Sequence, residues 1–247
     1  MEEVQKNLKR TVTITSEMLD DVKEMLKLLG VPIVDAPSEA EAQCAELVKS
    51  GIAHAVASED MDALAFGSRI LLRGFNTKKE PIIEINLETV LDNLDLTYEE
   101  FVDLCILLGC DYSKTIVGVG PAKAYTLIKQ FSKIETVLEF IRSTNNKKYE
   151  IPEEFHYIEA RKLLTRPRVL RGEDLKIEWG EADEDKLKEF LVGTKGFSLN
   201  RVENSLGRLH KKQKFAKQPR IDKFFIMPLK RKKENPEPDS SKKSKLT

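Results

Sequence analysis

The sequence predicts an α/β chain: a parallel-sheet core over its first third, a helical region after it, and a basic, polar end. Three observations lead there. Short apolar runs alternate with amphipathic stretches as far as Ile85. Apolar residues then recur at helical spacing from Leu87 to Leu209. That periodicity stops near Lys211, where proline, lysine and serine take over and disorder is expected. The expected divisions are therefore residues 1–86, 87–210 and 211–247.

Element by element, Met1 to Thr11 is a charged, helix-compatible stub. Ser16 is placed to cap a helix that runs to Leu29 and stops at Gly30. Val31 to Val34 follows as a strand, and Ser38 to Ser50 as the next helix. Ala53 to Ser58 reads as a short buried strand, succeeded by a short helix and by strands at Ile70–Leu72 and Ile82–Ile85. Thr97, with Glu100 at capping-box spacing, opens an amphipathic helix that runs to Leu108 and ends at Gly109. Residues 142–155 read as a loop around Asn145-Asn146-Lys147-Lys148, and Leu187 to Leu209 as a last helical layer.

Five carboxylates fall where apolar runs end: Glu39 and Glu41, Asp60 and Asp62, and Asp111. At the ends of neighbouring parallel strands such groups converge on one crevice, where open α/β folds bind ligands. Left unneutralised they repel one another. Hard oxygen ligands suit Mg²⁺ or Mn²⁺, and several around one cleft suit a pair of ions acting on a phosphoryl oxygen. Phosphodiester hydrolysis is the expected chemistry. Each segment also has a plainer reading. Ser38 and Glu41 are spaced as a capping box, Asp60 and Asp62 share a face if the chain is extended there but also suit a solvated loop, and Asp111 alone is a loop aspartate.

At 247 residues, 40% apolar and 33% charged, the chain can bury a core in one large domain or two small ones. It shows no long apolar run or secretory segment, so a membrane is not an expected partner. Cys44, Cys105 and Cys110 have no paired metal spacing; Cys44 and Cys105 read as core thiols in a reducing compartment. The zero net charge averages two unlike halves. Residues 208–247 hold 14 Lys/Arg against 4 Asp/Glu, a balance of +10, and the remainder holds 27 against 37, a balance of −10. A basic end suggests an anionic partner or a transport signal.

Two further motifs stand out. Ile116-Val117-Gly118-Val119-Gly120-Pro121-Ala122-Lys123 combines turn-forming glycines with a proline suited to the first helical position. Backbone N–H groups at such a helix start can hold a phosphate without reading a base, although a plain turn between helices explains the same residues. In the polar end, Gln218-Pro219-Arg220-Ile221-Asp222-Lys223-Phe224-Phe225 sets an isoleucine and two phenylalanines among charges. It reads as a docking segment, or else as a terminal helix packing back. Lys230–Lys233 and Lys242–Lys245 fit a nuclear signal, binding to phosphate or solvated charge.

Taken together, Asp35-Ala36-Pro37-Ser38-Glu39-Ala40-Glu41, Ser58-Glu59-Asp60-Met61-Asp62, Leu107-Leu108-Gly109-Cys110-Asp111-Tyr112, Gly118-Val119-Gly120-Pro121 and the Gln218–Phe225 box resemble the XPG nuclease family, in its flap endonuclease branch. The resemblance implies a PIN-like nuclease core, here incomplete at its N-terminus. Residues 1–14 would be the downstream end of a helical arch. A helix-two-turn-helix would lie at about 101–131 and a clamp-binding box at 218–225. It implies cutting of 5′ flaps with 5′-3′ exonuclease activity in DNA replication and base-excision repair, in the nucleus, with the nucleolus and mitochondrion as further compartments.

By the same resemblance Glu39, Glu41, Asp60, Asp62 and Asp111 would be catalytic ligands of two Mg²⁺ ions. Glu39, Gly109, Asp111, Gly118, Gly120 and Lys123 would lie against flapped or nicked duplex DNA. A monovalent cation such as K⁺ would sit near Thr115 and Ile116. Gln218, Ile221, Phe224 and Phe225 would dock on the sliding clamp, proliferating cell nuclear antigen. Members of the family supply a central strand and two more acidic ligands upstream of the equivalent of Met1. Their lack here leads one to expect weaker ion binding and lower independent stability. The alternative expectation is a non-catalytic adaptor that holds DNA and the clamp.

Overall fold

Thr15, one residue before the expected cap, opens the first helix of the computed structural model, which describes residues 13–75, 81–144 and 148–216, with side chains as far as 210. Its hydroxyl accepts the Met18 N–H at 3.3 Å and starts α1, Ser16–Leu28. The expected strand Val31–Val34 is not one: it joins no ladder among the described residues. Val31 N–H is spent on Leu26 O, and Pro32 has no N–H to offer. Helix α2, Ala40–Lys49, begins later than its capping box predicted. Glu39, not Ser38, is the N-cap, and its side chain makes no capping bond. Both Glu39 and Glu41 are therefore free of the structural job that the sequence offered for Glu41.

The sheet is small and mixed, where an all-parallel one was expected. β1 shrinks to Val56–Ala57 and pairs in parallel with β2, Ile70–Arg73, across the four-residue helix α3, Asp62–Ala65. β3, Ile83–Asn86, runs antiparallel to β2 with Leu71 opposite Ile85. Antiparallel pairing needs no crossover helix, so the short connection out of β2 decides the direction. Asn86 then accepts the Thr89 N–H at 3.1 Å and caps α4, Leu87–Leu94.

Helices take over from there. α5, Tyr98–Leu108, starts at the expected capping box, with Thr97 and Glu100 bonded reciprocally at 3.3 and 2.9 Å. α6, Pro121–Phe131, α7, Ile134–Thr144, and α8, Tyr157–Thr165, complete a large apolar cluster around Val102, Ile106, Leu127, Ile128, Ile134 and Leu164. Each such side chain contributes about 1.5–3 kcal/mol by leaving water. A smaller cluster joins Val48, Val56, Leu64 and Leu71 of the sheet region to Leu87 and Phe101. The division expected near residue 86 thus falls inside one packed unit.

One polar group is sealed within the larger cluster. Asp103, 3% exposed, takes two bonds from Arg161, at 2.6 and 2.7 Å, and a third from the Ile134 N–H at 3.1 Å. Arg161 also grips Glu135 at 2.7 and 3.0 Å, so one guanidinium braces α5, α7 and α8. Bidentate charge-assisted bonds of this sort satisfy a buried carboxylate fully.

The chain separates into two compact units, Met1–Glu181 and Ala182–Thr247. In the second, Asp183 caps α9, Glu184–Lys188, which runs into a π-helical stretch, Glu189–Thr194, before α10, Leu199–Ala216. α10 continues through the place where order was expected to end, near Lys211. No helix among the described residues is long and apolar enough to cross a membrane. The arch remnant as far as residue 12, the box Gln218–Phe225 with Ile221 and Phe224, and both lysine clusters lie outside the described residues.

Candidate metal centre

Each of the five carboxylates is positioned by the start or end of a short element. Glu39 is the N-cap of α2 and Glu41 lies in its first turn. Asp60 and Asp62 do not alternate along a strand as expected. The chain turns after Ala57: Ser58 Oγ accepts the Asp60 N–H at 3.1 Å, and Asp60 Oδ1 accepts the Asp62 N–H at 2.9 Å. This Asx-type turn launches α3 with Asp62 as its first residue. Glu59 is turned elsewhere, accepting from Gly74 N–H at 3.0 Å and facing Arg73. Asp111 follows Gly109, whose φ of +113° ends α5 and swings the chain back.

The five carboxylates stand within electrostatic reach of one another. The Asp62 carboxyl is pushed above its ordinary range, first by burial and then by Asp60, Asp111, Glu41 and Glu39. The neighbours report the same negative field. Burial raises the Cys105 thiol to about 12, with Asp62 adding to it. Burial also raises the Tyr112 hydroxyl, helped by Glu39, Asp62 and Asp111. Cys110 is raised by burial and then, against two backbone bonds, by Asp62 and Asp111; Cys44 is raised by burial and Glu41. Cys44 is on the surface, a correction to its expected place in the core.

The donor set fits a hard divalent cation: all oxygen, all anionic, with no lysine or arginine paired to Glu39, Glu41, Asp60, Asp62 or Asp111 among the described residues. The gathering is loose, and among those residues no three acidic, histidine or cysteine side chains close around a single point. Tyr112 is a site neighbour that sequence reasoning missed. It sits edge-on to Phe66 with ring centroids 6.5 Å apart, and its place directly after Asp111 was the available signal.

A few residues past Asp111, the glycine turn is built as expected but for two different reasons. Gly118 has φ +84°, and a Cβ there would meet Lys148 O at 2.1 Å, so only glycine fits. Gly120 is the N-cap of α6, with Pro121 at the first position; a Cβ there would meet nothing within 4 Å. It makes no side-chain cap, so the first-turn N–H groups of Ala122 and Lys123 face open space beside an exposed Lys123. Ile116 is fully buried and Thr115 exposed at the same turn.

Comparison with known proteins bears on all of this. The XPG I-region, as a family pattern, matches residues 30–111, the stretch that contains all five carboxylates. The chain is 49% identical over 224 residues to flap endonuclease 1-1 of Paramecium tetraurelia, covering 87% of this chain and 57% of that protein. It is 48% identical over 248 residues to flap endonuclease 1 of Heterostelium pallidum, covering 99% of this chain and 63% of that protein. It thus spans about three fifths of the length of the curated relatives it matches.

Among solved structures, flap endonuclease-1 from Methanococcus jannaschii superposes with a TM-score of 0.69 at 29% identity, over 85% of this chain and 62% of the other. The catalytic core of Rad2 in complex with DNA substrate gives 0.69 at 25% identity, over 84% and 74%. The junction-resolving enzyme GEN1 gives 0.58 at 27% identity in complex with product DNA and an Mg²⁺ ion, over 73% and 51%. A potassium-binding GEN-1 structure gives 0.59 at 26% identity, over 72% and 53%.

Proposed function

Since this chain is a relative of the XPG-family flap endonucleases, we propose that it supplies most of the acidic ligands and the duplex grip of a metal-dependent, structure-specific nuclease that cuts 5′ flaps, with 5′-3′ exonuclease activity. The observation that carries the reading is the placement of Glu39 and Glu41 at the start of α2, Asp60 and Asp62 at the start of α3 and Asp111 just past α5, within electrostatic reach of one another and with no lysine or arginine paired to them among the described residues. Such a field repels a phosphodiester unless cations neutralise it, so the site asks for metal before it can accept DNA.

In this reading Glu39, Glu41, Asp60, Asp62 and Asp111 hold two Mg²⁺ ions, or Mn²⁺. Metal held by these carboxylates would lower the pKa of a bound water and offset charge on the scissile phosphate. The protein's own part is positional. The turn at Ser58–Asp62 sets two carboxylates at one helix start, and Gly109 aims Asp111 toward them. The Ala122 and Lys123 N–H groups, with the Lys123 ammonium, grip a backbone phosphate of the duplex, and Gly109 lies against the strand beside Thr115. Mg²⁺ and K⁺ accompany GEN1 structures, which supports the same ions here, K⁺ near Thr115 and Ile116. Replication and base-excision repair, a nuclear location and docking of Gln218, Ile221, Phe224 and Phe225 on the sliding clamp belong to the same proposal.

The test is cleavage of a labelled 5′-flap duplex by the purified chain with Mg²⁺, beside Asp60→Ala and excess chelator. Cutting that vanishes in both controls while duplex binding persists supports the nuclease. Cutting that survives chelator removes the metal reading. A folded chain that binds the duplex and the clamp but never cuts makes it the adaptor.

A further inference from the structure

From Ala160 to Gly172 the chain reads A-R-K-L-L-T-R-P-R-V-L-R-G, with five basic residues and no acidic one, inside a portion whose balance is −10. Arg161 is consumed by the brace to Asp103 and Glu135. Beyond α8 the strap that follows is neither helix nor strand, yet it is held firmly. Gln43, 2% exposed, accepts the Leu170 N–H at 2.8 Å and donates to Leu170 O at 2.9 Å, pairing both backbone groups with one buried amide. Gly172 seats on α2 so closely that a Cβ would meet Ser50 Oγ at 2.3 Å.

With its backbone pinned inward, the strap leaves Arg166, Arg168 and Arg171 exposed. Arg168 and Arg171 line one open hollow of about 770 Å³ together with Ser50, Glu46 and Glu173. The two acids there are already engaged. Glu46 stands 3.7 Å from Lys49, and Glu173 stands 3.6 Å from Arg171 in a pair that is about three-quarters exposed on both sides and so worth little. Arg166 and Arg168 make no ion pair among the described residues. Guanidiniums carried on a strap whose backbone is fixed are suited to phosphate, which they bind with paired, parallel bonds.

We propose that this strap is a second nucleic-acid surface, which takes the phosphate backbone of a duplex arm leading away from the carboxylate cleft. The inference rests on the nuclease reading above and names where a further part of its substrate lies. α2 carries Glu41 at one end and Glu46 and Ser50 toward the other. Its ten residues span about 15 Å, or roughly 4–5 base pairs. An arm much shorter than that does not reach the arginines.

The test measures duplex binding by the full chain in Ca²⁺, over a salt series, with each arm of a flap duplex shortened in turn. Wild type is compared with the triple variant Arg166→Gln, Arg168→Gln, Arg171→Gln, and with the corresponding triple Lys variant. On long arms the Gln variant reduces the steepness of log K against log salt by up to about 2.7, near 0.9 for each phosphate that is no longer neutralised, and weakens binding at least tenfold. The Lys variant restores most of the slope, and once the arm that lies on the strap is removed all three proteins bind alike. A Gln variant that keeps the wild-type slope on every arm overturns the strap and leaves the nuclease reading intact. A wild-type chain that binds no duplex overturns both.

Discussion

Two clusters of acid groups depend on α5, and they are built in opposite ways. Midway along the helix Asp103 is sealed from water and fully spoken for, by Arg161 and by the Ile134 N–H. Past its end Asp111 joins four other carboxylates that have no cationic partner among the described residues; burial first, and then their charge, raises one member, Asp62. The first cluster holds three helices together. The second holds nothing together and opposes its own assembly. Unpaired like charges kept in one place mark function, because selection for stability alone would remove them.

This contrast predicts effects of opposite sign. The largest is at the brace. Asp103→Ala leaves the Arg161 charge and the Ile134 N–H without their partner, and urea unfolding should show a loss of about 3 kcal/mol. A loss below about 1 kcal/mol would mean that water replaces the carboxylate and that the brace is ornamental.

Next comes the pair of turn glycines. Gly118→Ala places a Cβ onto Lys148 O at a positive φ, which should cost about 2 kcal/mol in the same assay. Gly120→Ala meets no neighbouring atom and should cost only what alanine costs as a poorer N-cap, about 0.5–1 kcal/mol, while weakening duplex binding if phosphate uses that space. Equal costs at the two positions would erase the distinction drawn between them.

Mg²⁺ offers a readout independent of cutting. At about ten times its dissociation constant the ion should stabilise the chain by about 1.4 kcal/mol, seen as a rise in Tm. Asp62→Asn should lose most of that rise, and Asp103→Asn should keep it. An equal rise in all three would place the ion somewhere other than the carboxylate cleft.

The smallest effect has the reversed sign. Without metal, Asp62→Asn should leave stability unchanged or raise it by about 0.5 kcal/mol, by removing one of the repelling charges. Acid titration separates the clusters further. Arg161 holds the Glu135 carboxyl below its usual 4.5, so its contribution is present at neutral pH and lost as pH falls through and below that value. Asp62 is raised above its usual 3.8, so its penalty stands at neutral pH and is relieved as pH falls toward that value. Urea midpoints between about pH 7 and pH 3 should therefore show an acid loss that Arg161→Leu diminishes and that Asp62→Asn leaves in place.

Local grammar was enough for part of this. The Thr97–Glu100 capping box, the Gly109 stop and Pro121 at the head of α6 were all legible, because each depends on neighbours within a few residues. Where the sequence misled, a distant partner was decisive. Val31–Val34 has a strand's composition, but a strand exists only where another offers its N–H and C=O groups, and none does among the described residues. Ser38 and Glu41 have capping-box spacing, yet the helix starts at Ala40 with Glu39 as its N-cap. Asp60 and Asp62 share a site through a turn and a helix start, not through strand alternation.

Arg161 and Gln43 were invisible beforehand. Their partners lie 58 and 127 residues away in the chain, and no periodicity announces a pairing across that separation. The sequence alone determined which residues carry chemistry, since charge and hydrogen-bonding type are properties of single side chains. Tertiary structure alone decided which of those charges meet a partner and which are left facing one another, because that depends on packing between segments remote in the chain.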